Sequence, residues 1–248
     1  MSPAFNADQR SKETEIMDDL TCSGPVVERT LKDLDIINRL LGGNAVTLTG
    51  LKEMMESRGS SGVPLRIADL GCGSGDLLRR LARYARKNSI PVQLFGIDAN
   101  PSIAAYASRH CADYPEITIE AVDVLSDEFA ARSYDIISGT LFFHHFDDDT
   151  LVRLLPRLVS QAKYGVLIND IHRHWFAYHS IKWLTRWFSS SPMVHYDAPL
   201  SVSRAFTRGD WKRLTARSGI VQYRISWHWA FRWKIMLCSP DSRLAQFW

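Results

Sequence analysis

The 248 residues include 46% hydrophobic and 23% charged side chains, which suits one α/β domain with a substantial core and is short for two. No run of about eighteen apolar residues occurs that would span a bilayer. The polar start MSPAFNADQRSKETEIMDD lacks the basic-then-apolar pattern of a signal peptide. Cys22, Cys72, Cys111 and Cys238 are scattered with no C-x-x-C pair, which argues against a disulfide framework or structural zinc and suits a reducing cytoplasm.

Net charge is only +3, but it is unevenly spread. Residues 1–150 hold 15 Lys and Arg against 23 Asp and Glu, whereas residues 151–248 hold 15 against 4. All eight tryptophans fall in the basic part, from Trp175 to Trp248. Such asymmetry fits an acidic or membrane-surface partner for that part, and equally a solvated basic face.

After a disordered-looking start, apolar residues at Val27, Leu31, Leu34, Ile37, Leu40 and Leu41 predict a helix over Pro25–Leu41, stopped by Gly42 and Gly43. A second helix is predicted over Thr47–Met55, followed by a loop over Arg58–Gly62. Asn38 and Arg39 are candidates to reach a site. The stretch Leu65–Leu81, LRIADLGCGSGDLLRRL, reads as strand, tight loop and amphipathic helix. Glycines let the loop turn sharply and lie against a flat ligand, with the free N–H groups of the helix start aimed at it. The dinucleotide fingerprint G-x-G-x-x-G fails by one residue, at Asp76.

Further apolar runs end in carboxylates or polar turns: Val92–Ile97 at Asp98, Ile117–Val122 at Asp123, and Tyr134–Thr140 before Leu141 to Phe146. Strands are expected near 65–70, 92–98, 117–123, 134–139 and 164–170, with helices near 75–87, 101–110 and 149–162. This alternation favours a parallel sheet with helices on both faces and ligands at the carboxyl ends of its strands. Pro156 should kink its helix. Asp98 lies about twenty residues past the glycine loop, where nucleotide-binding sheets hold a ribose carboxylate. Asp69 and Asp98 also read as simple caps, the latter for a helix starting at Asn100 and Pro101. Beyond the fifth strand, Trp175–Phe188 reads as an amphipathic helix with Phe176, Ser180, Trp183, Leu184 and Trp187 on one side. A loop is expected over Ser189–Pro199, then a helix capped by Thr207 and Asp210 and ending at Gly219. Two strands, 221–227 and 231–237, finish the chain.

The pattern D-x-G-x-G-x-G from Asp69 to Gly75, with the acidic strand ends that follow, resembles the class I S-adenosylmethionine-dependent methyltransferases over roughly residues 65–170. The resemblance implies a Rossmann-like, doubly wound, mostly parallel seven-stranded sheet with an antiparallel final strand. It also implies N-terminal helices that close over the cofactor and a helical lid insertion after strand 5. The expected division is a tail and helical cap over 1–60, then the methyltransferase domain over 61–248 with the insertion at about 172–205. The cofactor is expected against Asp69, Gly71, Cys72, Gly73, Gly75, Asp98, Ala99, Asp123, Val124 and Thr140. Asp98 would take the ribose, Ala99 would lie beside the adenine, and Asp123 with Val124 would read the adenine edge. Cys72 itself reads as a small residue fitting a tight loop. The stretches ERTLKDLDIINRLLGG and NDIHRH with AYHSIKWLTRW are similar to small-molecule methyltransferases of the ubiquinone-biosynthesis type and to relatives in polyketide assembly, which implies secondary metabolism.

Methyl transfer from a sulfonium is a direct displacement, so alignment is the protein's main task. A phenol, with a reference pKa of about 10, gains from a nearby base, a role that suits histidine. His144 and His145, or His172 and His174, are the candidates. A metal is not expected, because no carboxylate follows the fourth strand to complete a ligand set. The amino-methylating motif Asn/Asp-Pro-Pro-Tyr/Phe is absent after the fourth strand, which argues against nucleic-acid substrates. The expected acceptor is a small aromatic or lipid-like molecule, methylated at oxygen, with the aromatic 172–188 segment as lid or pocket wall, as plain filling of the interface between its helix and the sheet, or as contact with a membrane or acidic carrier protein. The rival reading is a non-catalytic protein that keeps the cofactor fold and docks through its basic, tryptophan-rich part. Oligomeric state is not legible in the sequence.

Overall fold

The computed structural model describes residues 5–57 and 62–238; most of the expected loop at 58–62 and Trp248 lie outside them. Two helices come first, α1 (Pro25–Leu40) and α2 (Gly43–Ser57). Strand and helix then alternate through β1 (Leu65–Leu70), α3 (Asp76–Lys87), β2 (Val92–Asp98), α4 (Pro101–His110), β3 (Ile117–Ala121), α5 (Asp127–Ala130), β4 (Tyr134–Thr140), α6 (Asp148–Gln161) and β5 (Ala162–Ile171). The remaining elements are α7 (Trp175–Phe188), α8 (Pro192–Arg204), α9 (Arg208–Arg217), β6 (Tyr223–His228) and β7 (Arg232–Leu237).

The sheet has seven strands in the order β3-β2-β1-β4-β5-β7-β6. β1 pairs in parallel with β2 and β4, and β7 runs antiparallel to β5 and β6. This is the Rossmann-like methyltransferase architecture expected from the sequence. The order reverses beside β1, so the crevice above its carboxyl end is where such sheets bind ligands.

Strand alternation explains why both faces are covered. In β1, Leu65 and Ile67 join α3's Leu78, Leu81 and Ala82 on one face, while Ala68 and Leu70 join α6's Leu151, Leu154, Leu155 and Leu158 on the other. Leu81 is almost fully enclosed, so truncating it to Ala should cost about 2–5 kcal/mol.

Two sequence expectations change. The expected loop at 189–199 is mostly α8: Ser191 caps it by accepting from the Val194 amide, and Pro192 sits in the first turn, where its missing N–H costs nothing. Pro199 lies inside that helix, and α6 likewise runs through Pro156. The N-terminal stretch is ordered because Arg10 donates to the Phe146 carbonyl (2.9 Å) and pairs with Asp148, while Asp197 accepts from the Ile16 amide (2.8 Å). Composition alone did not carry those long-range ion pairs.

Candidate active site

The loop after β1 uses its glycines for backbone geometry. Gly71, Gly73 and Gly75 have φ values of +63°, +52° and +73°, the left-handed region that L side chains rarely adopt. A Cβ on Gly71 would come within 2.4 Å of Phe142 Cδ2, whereas one on Gly73 would meet nothing nearer than 3.8 Å. The loop amides are anchored from β2: the Gly71 amide donates to the Ile97 carbonyl (2.8 Å) and the Gly73 amide to Asp98 Oδ2 (3.2 Å).

Asp98 does not cap α4. That is done by Asn100, whose Oδ1 accepts from the amides of Ser102 and Ile103, while Asp98 Oδ1 accepts from the Asn100 amide (3.1 Å). Asp98 faces the cavity with lone pairs left over, and burial pushes its carboxyl above the usual range despite the two amide donors. Asp69 lies deeper, accepts from Ser138 Oγ (2.9 Å), and is pushed up to about 7 by burial, which the Ser138 bond opposes and Asp98 reinforces.

These residues line one cavity of 1520 Å3. Single-ligand pockets run to about 300–1,000 Å3, so there is room for two molecules side by side. Asp69, Gly71, Cys72, Gly73, Asp98, Ala99, Asp123, Val124 and Thr140 all reach the cavity wall, and Gly75 does not. Gly75 instead turns the chain into α3, with Cys111 Sγ filling the space of a Cβ (2.8 Å). Thr140 Oγ1 hydrogen-bonds Thr47 Oγ1 (2.7 Å), and burial pushes the Cys72 thiol well up, as for a packing residue. The first two helices tie to the loop through Ser74 with Asp35 (2.6 Å) and Asn44 with Asp76 (2.8 Å). Asn38 lines the cavity; Arg39 does not.

The chain leaves β4 through Leu141, a non-glycine residue at φ +56°. That turn brings His144 and His145 to the cavity wall. His144 is buried, with Nδ1 2.8 Å from Asp170 Oδ1 and its amide 3.1 Å from Asp170 Oδ2. An ionised carboxylate can only accept, so Nδ1 carries the proton and Nε2 is the ring nitrogen turned away from Asp170. Burial would raise Asp170, but His144 and the Ile171 amide hold it below the usual range. Nε2 lies 3.6 Å from Glu15 Oε1, a buried oxygen without a hydrogen-bond partner. Burial pushes Glu15 up to about 7 against the pull of His145 and Arg204.

Arg10 and Arg204 clamp the carbonyls of His144 and His145, and Asp18 accepts from His145 Nδ1 (2.6 Å). Glu15, His144 and His145 each bring one ligand-type atom within 4.8 Å of the others. Arg204 Nη1 stands 3.6 Å from Glu15 Oε1, however, so a fixed cation already faces that carboxylate. His172 and His174 do not line the cavity. His172 packs on Trp233 (4.8 Å) and is pushed down to about 4 by burial, His174 and Arg173; His174 caps α7 by accepting from the Phe176 amide. Sequence reasoning missed Glu15 and Arg204, which lie in segments read as tail and lid.

A glycine-walled loop and a cavity-facing carboxylate one strand over fit a nucleoside with an amino-acid tail. Residues 67–165 match a family model described as methyltransferase domain. No curated protein matches the chain in sequence. Among solved structures, the DszA carbon methyltransferase aligns with TM-score 0.61 and 18% identity over 81% of this chain and 54% of that one. The plantazolicin methyltransferase BpumL with bound SAH gives 0.57 and 19% over 82% and 80%. The magnesium protoporphyrin IX methyltransferase ChlM from Synechocystis PCC 6803 with bound SAH gives 0.52 and 16% over 82% and 87%. The chain spans about half the length of the DszA chain and 47% of the citrinin polyketide synthase CMeT domain chain. Residues 67–165 thus match a methyltransferase domain, on a fold that the chain shares with solved methyltransferases holding SAH.

Proposed function

We propose that the enzyme methylates a hydroxyl oxygen of a small, hydrophobic, ring-containing acceptor, with His144 as the base. The observation that carries this is the Asp170–His144 pair, 2.8 Å apart, with His144 at the wall of the cavity. Asp170 fixes the tautomer and stabilises the imidazolium that forms when His144 takes the acceptor's proton. Glu15 Oε1, 3.6 Å from Nε2, adds negative charge on the same side, and Arg204 restrains it. Asp98 suits the ribose hydroxyls, and Ala99, Asp123 and Val124 suit the adenine. Gly71 and Gly73 leave the backbone open to the methionine end. When bound, S-adenosylmethionine supplies an electrophilic methyl group.

The acceptor side is walled by Phe142, Phe146, Phe176, Ile181, Leu184 and Phe231, which favours an apolar ring over a charged metabolite and leaves nucleic acid without a basic groove at the site. The cap over 1–60 and the insertion at 172–205 are the segments that enclose it. Residence in the cytoplasm and a role in secondary metabolism belong to the same reading.

A coupled assay of S-adenosylhomocysteine formation against a panel of phenols tests it. The expected result is turnover that rises with pH through about 7 as Glu15 ionises, a limb that Glu15→Gln removes. His144→Gln should lower kcat by about 10²–10⁴ without changing S-adenosylhomocysteine affinity. Product analysis decides the atom: a new carbon–carbon bond instead of a methyl ether would overturn the oxygen assignment. Full activity in His144→Gln would overturn the base.

A further inference from the structure

The helix α7 carries large aromatic residues on its solvent side as well as apolar ones inside. Ala177, Tyr178 and Thr185 are buried and Ile181 and Leu184 pack half-buried against Ile37, Val194 and Ala198, while Trp175, Phe176, Trp183, Trp187 and Phe188 face outward. Trp183 is 66% and Trp187 77% exposed, values that rule out the interface-filling role that aromatic residues ordinarily have in a core. The stripe does not end with the helix. Phe176 meets Phe231 (ring centroids 5.8 Å apart), and Phe231 meets Trp227 (6.1 Å) and Trp229 (6.4 Å) in the β6–β7 hairpin. Exposed aromatic residues therefore recur over about 20 Å of α7, and at the Phe176 end they continue across the hairpin.

Its charge is one-sided. From Ile171 to Cys238 the only acidic residues in the sequence are Asp197 and Asp210, and both are buried. Lys182 and Arg186 lie on α7 itself. Tryptophan combines an apolar ring with an N–H donor and settles at the boundary between headgroups and acyl chains, and lysine and arginine beside it suit anionic headgroups. No helix among the described residues is long and apolar enough to cross a membrane, so the contact is peripheral. The surface is also the rim of the cavity, since Phe176, Trp229 and Phe231 belong to both.

We infer that the α7 face and the β6–β7 hairpin dock on an anionic lipid surface, setting the mouth of the methyl-transfer cavity against the bilayer. The docking stands apart from the choice of acceptor atom and base. It gives an acceptor dissolved in the membrane a path past Phe176 and Phe231 that avoids bulk water.

The test is co-sedimentation of the full chain with vesicles of phosphatidylcholine alone and of phosphatidylcholine mixed with phosphatidylglycerol. Trp183→Ser with Trp187→Ser, and separately Lys182→Glu with Arg186→Glu, are the variants. None of these four residues lines the cavity, and unchanged S-adenosylhomocysteine affinity by calorimetry certifies the fold. The expected result is binding to the anionic vesicles that weakens with salt and falls about tenfold or more in each double variant. Absence of binding to anionic vesicles would overturn the inference, as would variants that bind like the parent. Sedimentation velocity without lipid adds a further arm: a dimer abolished by Trp183→Ser with Trp187→Ser would assign the face to a second copy and overturn it.

Discussion

Asp69 holds a carboxyl group where the fold has no cation for it. The residue is 3% exposed, accepts one hydrogen bond from Ser138, and sits at about 7 against an ordinary value of 3.8. The folded chain therefore keeps a proton that the unfolded chain releases. The stabilising contribution is complete below about 3.8 and is lost as pH rises through about 7. At 1.36 kcal/mol per unit, the full loss is about 4 kcal/mol. Asp69→Asn keeps an oxygen for Ser138 and removes the titration. Urea unfolding of both proteins should show the variant gaining about 2–3 kcal/mol on the parent between pH values of about 5 and about 8. A difference that stays constant across that range would refute the reasoning.

Asp170→Asn should lower kcat by about 10²–10⁴ while leaving S-adenosylhomocysteine affinity within about twofold, because Asn brings one acceptor oxygen where the carboxylate places two, one at the His144 ring and one at the His144 amide. Single-turnover kinetics with calorimetry on the same preparation check this. Gly71→Ala forces a Cβ to within 2.4 Å of Phe142 at φ +63° and should cost about 2 kcal/mol or more in stability. Gly62→Ala, with nothing within 4 Å, is the control and should unfold like the parent.

The local signals were the legible ones. Strand–glycine loop–helix order, the acidic strand ends and the Thr207–Asp210 capping box depend on neighbours in sequence, and each lies where it was expected. What the chain order hides is convergence. Glu15 reaches His144 across more than a hundred residues, and its neighbours in sequence are those of a polar tail. Arg204 meets Glu15 and Asp18 only because α8 forms, and Pro192 with Pro199 made that segment read as loop. His172 and His174 had the same residue type and the same post-strand position as His144 and His145. The pairing of β5 with β7 runs up to Ile171 and packs His172 on Trp233, away from the cavity. The helix Trp175–Phe188 was legible as a helix, but the side that meets solvent was not: hydrophobicity predicts burial, and here the exposed side is the aromatic one.

Calorimetric titration with S-adenosylhomocysteine, comparing the parent with Asp98→Asn, goes straight to the claim that the β1 loop and the β2 carboxylate hold the methyl donor. The account predicts one site per chain in the parent and a loss of roughly 30-fold or more in the variant, because hydrogen bonds to an ionised acceptor are worth about 1.5–3 kcal/mol each. Binding by Asp98→Asn within about threefold of the parent would contradict it.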